Sequence, residues 1–532
     1  MLGLEVVVLL GGVLVAAHLA AWRFRIAPPV LLLVSGVLLG FVPALREVFL
    51  PPKIVLLIFL PVLLYWESLT SSLREIRNNL RPIVLMSTTL VVLTASAVAA
   101  AAHALGIGWG PAWVLGAAVA PTDATAVGVL ARRLPRRNVT ILRAESLIND
   151  GTALVVYGLA VGITVGEESL TPPHVGWLFL LSYGGGVLIG AVVAWCGVQL
   201  RRHLGDPLLE NTAIITVPFA AYLVAETVDA SGVLAVVACG LIMSQAAPRV
   251  GGAAGRRQAE AFWSLATFLI TGALFVLVGL EAQTAARQLT STDLATAAIA
   301  VGVVTAVVIG VRFAYLFTAP YLVRLVDRRS QQRERRIPAT ARIISATAGF
   351  RGAISLALAL SVPATLDSGQ PFPDRDAIVF VTCGVILITL IVQGLAMPAV
   401  VRWARLPHDE AVIEELHLAQ TRASEEVLEA LPRLAAELDT GPAVTDRVRG
   451  EIAQHLAFLR AHAGETNDDP ALRHAEQYTA LRLAAIEHER STVLGLRDEQ
   501  RIDDAVLRQL QAVLDVEEMR LQRFDRGGHE PR

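Results

Sequence analysis

The chain is poor in charge. Of its 532 residues, 17% are Asp, Glu, Lys or Arg and 54% are hydrophobic, where a soluble domain carries about 25% charge. That scarcity excludes an ordinary soluble enzyme and places the chain among membrane proteins. Lysine is almost absent: Lys53 is the single example. The three cysteines, Cys196, Cys239 and Cys383, all lie in apolar segments. An odd number so placed gives no disulfide framework, and they read as small packing residues. No Gly-Lys-Ser/Thr phosphate loop is present, so nothing points to ATP use. A formal net charge of -2 gives no reason to expect a nucleic-acid partner. The sequence calls for no cofactor and for no enzymatic reaction.

What the chain has instead is long apolar runs. A spanning helix needs about 20 mostly apolar residues. On that basis thirteen spans are predicted, at 2–22, 27–45, 51–68, 82–105, 111–130, 140–165, 174–200, 208–227, 230–246, 260–280, 294–323, 340–362 and 377–401. No Lys or Arg precedes the first run, so it reads as a retained span and not a cleaved signal. Loop charge tests the count. Arg23 and Arg25, Arg74 to Arg81, Arg132 to Arg137, Arg201 and Arg202, Arg249 to Arg257 and Arg324 to Arg336 fall in alternate loops. The loops between them are acidic or neutral, with Glu167, Glu168, Asp229, Asp367 and Asp374. Positive residues collect on the cytoplasmic side. The N-terminus is therefore expected outside, and residues 406–532 in the cytoplasm as a helical tail. The membrane domain is read as 1–405. The tail's scattered histidines show no metal-ligand spacing. It reads as a helical domain packing on itself or its twin, or as a regulatory element that senses pH or a ligand.

Two spans are interrupted. The fifth carries Ala120-Pro121-Thr122-Asp123, and the twelfth carries Gly349-Phe350-Arg351-Gly352. Proline removes a helix donor and glycine loosens the backbone. Seven spans separate the two, so they run in opposite directions. That is the pattern of two inverted six-helix repeats whose broken helices cross at the bilayer midplane and build a substrate site.

The sixth span carries Glu145-Ser146-Leu147-Ile148-Asn149-Asp150. Carboxylates at membrane depth are costly and are functional candidates by default. Ser146 and Asp150, four apart, share one helix face. With the hydroxyl and freed carbonyl of Thr122 they form an oxygen set suited to Na+, Li+ or K+. Asp150, held out of water, is neutralised by a proton or by a cation but hardly by both. Competition for that carboxylate is a sufficient basis for exchange. Asp123 has two readings, direct ligation or a cap that offsets the dipoles of broken helices. Asn149 reads as a neutral bridge to the broken backbone. Arg351 needs an anion, and Glu145 is the candidate partner. Arg312 also lies at depth, with no partner evident. Glu67 is read either as a solvated helix-end acid or as a second acid that reaches the ion.

Together Tyr65-Trp66-Glu67, Ala120-Pro121-Thr122-Asp123, Glu145 to Gly151 and Phe350-Arg351-Gly352-Ala353 resemble motifs of the sodium/proton exchanger branch of the monovalent cation:proton antiporter-1 family. The resemblance implies a homodimer in the plasma membrane, with a dimerisation domain and a six-helix core that moves against it. It implies an ion site at Asp150 with Ser146, Thr122 and Glu67, Asp123 at the helix crossing, and a Glu145–Arg351 pair. It implies a role in pH homeostasis. Asn149-Asp150, where electrogenic relatives carry two acids, implies one proton per cation. The absence of a core lysine agrees with that. The alternatives are a K+/H+ exchanger on the same scaffold, a cation channel, or a membrane pH sensor. The channel lacks the repeated pore loops it would need.

Overall fold

The structure, a computed structural model, describes residues 2–24, 27–42, 55–78, 80–123, 136–166, 172–288, 291–326, 339–366, 368–405, 411–463 and 470–526. Lys53, Arg25, Arg132, Arg133, Glu167, Glu168, Asp367 and the arginines from 328 to 336 lie outside these residues, as does the tail's Gly464. Apart from one isolated bridge between Thr365 and Pro371, the described residues form no strand. The fold is all-α, and it divides into two compact units, Met1–His408 and Asp409–Arg532.

The first unit holds α1 (Leu2–Phe24), α2 (Pro28–Leu39), α3 (Leu60–Thr70), α4 (Leu80–Ala104), α5 (Trp109–Val119), α6 (Arg136–Val165) and α7 (Pro172–His203). It continues with α8 (Pro207–Glu226), α9 (Gly232–Ala246), α10 (Ala253–Gln288), α11 (Ser291–Val326), α12 (Ala339–Thr347), α13 (Ala353–Leu360) and α14 (Arg375–Ala404). Among the described residues, nine helices are long and apolar enough to cross a membrane: α1, α4, α6 to α11 and α14. Helix α2, α3 and α5 are apolar but shorter. The sequence predicts thirteen spans, and four of them fall short on length for physical reasons. Helix α2 ends at Leu39 with Gly40 as its C-cap, and a π-helical turn at Val55–Phe59 precedes α3. Helix α5 stops at its Pro-Thr-Asp break, and the twelfth predicted span is split into α12 and α13.

Helix starts follow local chemistry. Pro28 and Pro207 open α2 and α8, where a missing N–H costs nothing. The Asp206 carboxylate accepts from the N–H groups of Leu208 at 2.8 Å and Leu209 at 3.1 Å, capping α8. Ser231 caps α9 through Leu234 N–H at 3.2 Å.

Packing sorts these helices into two bundles. Helices α4, α5, α6, α11, α13 and α14 surround a core of small and branched residues that includes Ala95, Ala99, Val114, Ala118, Ala153, Val304 and Val381. Helices α3, α7, α8 and α9 surround a second core with Tyr65, Val217, Val236 and Met243. A third cluster joins α1, α2 and α10 to α12, α13 and α14 through Leu33, Leu274, Phe275, Phe350 and Ile386. Helices α2 and α10 touch backbone to backbone. A Cβ on Gly36 would lie 2.1 Å from the Val276 carbonyl oxygen, and one on Gly279 2.2 Å from that of Leu33. Large apolar side chains on the outside of α7, including Trp177, Leu188 and Trp195, are exposed. That suits a helix with lipid around it, since lipid removes the cost of apolar exposure.

The second unit holds α15 (Ala411–Glu437), α16 (Pro442–Ala463), α17 (Pro470–Asp498) and α18 (Asp504–Arg526). Helix α18 buries Leu507, Leu514 and Leu521, seven apart, with Leu514 and Leu521 packing against Ile486. Arg490 bonds Asp515 and Glu518 at 2.7 Å each and ties α17 to α18. The apolar rhythm seen in the sequence is only partly buried: Val506, Leu510, Val513 and Val516 are exposed.

Candidate functional site

The two interrupted segments meet. Helix α5 ends at Val119, and residues 121–123 are not helical; α12 ends at Thr347, and residues 349–352 are not helical. Pro121 cannot donate to a continuing helix. The Asp123 N–H instead donates to the Phe350 carbonyl at 2.8 Å, joining one break to the other. The crossing is tight: a Cβ on Gly352 would lie 1.7 Å from Asp123 Oδ2. No side chain fits there, so glycine is required by close approach. The Asp123 carboxylate thus rests at the start of α13, where exposed N–H groups favour an anion.

Breaking helices leaves carbonyls without partners. Side chains from neighbouring elements take them up. Ser146 Oγ donates to the Thr122 carbonyl at 2.9 Å, and Asn149 Nδ2 donates to Thr122 Oγ1 at 2.6 Å. Arg351 Nε donates to the Val119 carbonyl at 3.0 Å, and its Nη1 to that of Gly349. Asn149 is expected to bridge to the broken backbone; its bond runs instead to the Thr122 side chain.

One pocket gathers the carboxylates. Glu67, Asp123 and Asp150 all line it, with Thr122 and Ser146. Asp150 is 2% exposed, Ser146 3% and Thr122 6%. Glu67 is half-buried and lines this pocket. Pro121, Gly352, Ala353, Ile354 and Ser355 complete one wall, while Leu60, Leu63, Leu64, Thr271, Leu274 and Phe275 form the other. The site therefore lies at the seam between α5, α6 and α13 on one side and α3 and α10 on the other. Its polar lining is oxygen: carboxylates, hydroxyls and carbonyls. Hard cations take such ligands, and thiolate- or imidazole-seeking metals do not favour them.

One expected contact is corrected. Glu145 does not pair with Arg351. Its Oε1 accepts from Arg312 Nη1 at 2.6 Å, with both side chains buried. Arg312 Nε also donates to the Ser345 carbonyl at 3.1 Å, so this guanidinium ties α6 and α11 to α12. Arg351 lies inside the break, and the carbonyls there occupy it first. Sequence reasoning could not choose between two buried arginines for one acid.

Sequence reasoning also missed Ser355 and Thr271, which line the pocket. Ser355 had a signal, lying three residues past Gly352 on the first turn after a break. Thr271 had none, because only the packing of α10 brings it there.

Comparisons with known proteins agree with this arrangement. The family profile described as "Sodium/hydrogen exchanger, transmembrane" matches residues 7–403. A Mycobacterium tuberculosis protein named as an uncharacterized Na+/H+ exchanger is 43% identical over 98% of this chain and 96% of its own. The Na+/H+ antiporter ApNhaP of Aphanothece halophytica is 28% identical over 88% of this chain and 87% of its own. The solved structure of the sodium proton antiporter MjNhaP1 from Methanocaldococcus jannaschii superposes with a TM-score of 0.56 at 19% identity. It covers 75% of this chain and 99% of that one, and so supports the fold. A profile match across three quarters of the chain and a 43% identical relative along nearly all of it show that this multi-pass membrane protein belongs to the sodium/hydrogen exchanger family of cation/proton antiporters.

Proposed function

We propose that the protein exchanges Na+ for H+ by competition of the two ions for Asp150, with Ser146 and Thr122 as further cation ligands. One observation carries this reading. Asp150 is buried in a pocket that also holds Glu67 and Asp123 and is lined by no Lys, Arg or His among the described residues. A carboxylate as deeply buried as Asp150 is too costly to keep ionised without a compensating charge. A proton or a metal cation has to supply the compensation. When the cation enters, the proton leaves, and the reverse. Either loaded form can cross the membrane, while the empty form keeps an uncompensated charge and crosses poorly.

The seam location supports movement as the means of exchange. One wall of the pocket is polar and belongs to the bundle of interrupted helices. The other is largely leucine and phenylalanine. Sliding the polar wall along the apolar one would carry the ion from one side to the other without a continuous pore. In this reading the bundle containing α4, α5, α6, α11, α13 and α14 is the moving core, and α1 to α3 with α8 to α10 form the dimer scaffold. We place thirteen spans in two inverted repeats, the N-terminus outside and residues 406–532 in the cytoplasm. Asp123 caps α13, and Glu67 is a second acid at the ion's entry. A single competing carboxylate and the Asn149-Asp150 pair make the exchange one for one. It would serve pH homeostasis in the plasma membrane.

The test is proton flux in proteoliposomes on addition of Na+, Li+ or K+, with the membrane potential clamped at two values. Wild type should exchange Na+ at the same rate at both potentials. Asp150→Asn should abolish exchange while the protein stays folded and monodisperse. Normal transport by Asp150→Asn would overturn the site assignment, and K+ preferred over Na+ would move the protein to the K+/H+ reading.

A further inference from the structure

We infer that Ser355 is an additional cation ligand, contributed by the second interrupted segment; this rests on the reading of the pocket as the exchange site. Ser355 is 1% exposed, and its Oγ has no hydrogen-bond partner. Yet it lines the pocket that holds Asp150. A buried hydroxyl left unpaired is destabilising, and native structures rarely keep one without cause.

The reason it is unpaired is local. Buried serines in helices usually return their proton to the carbonyl four residues back. Here Ser35 bonds Leu31 O, Ser68 bonds Leu64 O and Ser361 bonds Ala357 O, at 2.6 to 2.8 Å. For Ser355 the residue four back is Arg351, which lies in the break between α12 and α13 where the backbone is not helical. The interruption that builds the crossing also removes the hydroxyl's default partner. Its oxygen is left for the pocket.

A helix start is a poor place for a cation, because its exposed N–H groups are positive. At α13 that field is offset by the Asp123 carboxylate, pressed against Gly352 directly before the helix. The hydroxyl can turn a lone pair to the ion and its proton to a pocket carboxylate. Ser355 would thus give the ion an oxygen from the twelfth predicted span, where the other proposed ligands come from the fifth and sixth. The cation then bridges both interrupted segments.

The experiment compares wild type, Ser355→Ala, Ser355→Cys and Asp150→Asn in proteoliposomes. Na+ and Li+ KM, kcat and the pH profile are measured, together with Na+-dependent thermal stabilisation of the detergent-purified protein. Losing one oxygen ligand should raise the Na+ KM about tenfold (about 1.4 kcal/mol), with kcat at saturating Na+ close to wild type. At a fixed Na+ concentration well above the KM of both proteins the acidic limb should move up by about one pH unit, since a weaker cation loses to protons sooner. Ser355→Cys keeps the volume but offers a soft sulfur, and should show the same KM rise. It also serves if Ser355→Ala does not fold. Na+ stabilisation should shrink in both variants. If both keep wild-type KM, acidic limb and Na+ stabilisation while Asp150→Asn is inactive, Ser355 is structural and only this inference fails. If Asp150→Asn exchanges normally, the reading of the pocket fails with it.

Discussion

The pairing of Glu145 with Arg312 gives a prediction that separates two buried arginines. The contact is 2.6 Å, with side-chain exposures of 2% for Arg312 and 7% for Glu145. Removing one partner of such a pair leaves an uncompensated buried charge, which costs about 3–5 kcal/mol. Glu145→Gln and Arg312→Leu should each lose that much. The double variant should lose less than either single change plus the other, with a coupling of about 2 kcal/mol or more, because neither charge is then left alone. Arg351 should behave differently. Its guanidinium bonds the carbonyls of Val119 and Gly349, so Arg351→Leu orphans two acceptors at about 1–3 kcal/mol each. Its cycle with Glu145 should show coupling below about 1 kcal/mol. Denaturant unfolding in mixed micelles, followed for the three single and two double variants against wild type, measures both cycles. A larger coupling of Glu145 to Arg351 than to Arg312 would refute the assignment, and with it the view that the carbonyls of the break hold Arg351.

Three further outcomes follow from the geometry. Gly352→Ala places a Cβ 1.7 Å from Asp123 Oδ2, so it should nearly abolish the yield of folded protein, and Asp123→Gly in the same chain should partly restore it on size-exclusion chromatography. Ser146→Ala frees the Thr122 carbonyl; it should lower stability by about 1–2 kcal/mol and raise the Na+ KM, and an unchanged KM would remove Ser146 from the ligand set. In the second unit, burial lowers the His455 pKa below its usual value of about 6.5. A depressed histidine stabilises the fold fully above that value and loses its contribution as pH falls below it, because the unfolded chain then takes up the proton first. Amide exchange in α16 should therefore quicken on going from pH 7.5 to pH 5.5, and His455→Gln should flatten that response.

Much of this was legible because rare residues mark the expensive positions. Pro121 and the glycines at 349 and 352 stand out in apolar runs, and the helices do stop there. The Ser146 and Asp150 spacing placed both on one face of α6, and both line the pocket. The choice of Arg312 over Arg351 was not legible, since both are arginines at depth and only the crossing decides which is already occupied. Nor was Thr271, whose place depends on α10 packing glycine to glycine against α2. The tail misled in a different way. Its period announced helix, but a period cannot say which of two apolar stripes on α18 is buried, and Val506, Leu510 and Val513 turned out exposed while Leu507 and Leu514 did not.

The placement of charge in the membrane unit follows one rule. Each buried arginine of the crossing is spent on fixed structure: Arg312 on Glu145 and the Ser345 carbonyl, Arg351 on the carbonyls at the ends of broken helices. Neither of the two lines the pocket that holds Asp150. Had Arg351 faced Asp150, a permanent guanidinium would have neutralised the carboxylate and left nothing for an ion to do. In the proposed reading the backbone breaks hold Arg351 at fixed carbonyls, so that the charge of Asp150 is left for a mobile ion to balance. In that reading the same interruptions serve twice, since they expose oxygens at the pocket and hold Arg351 on backbone carbonyls.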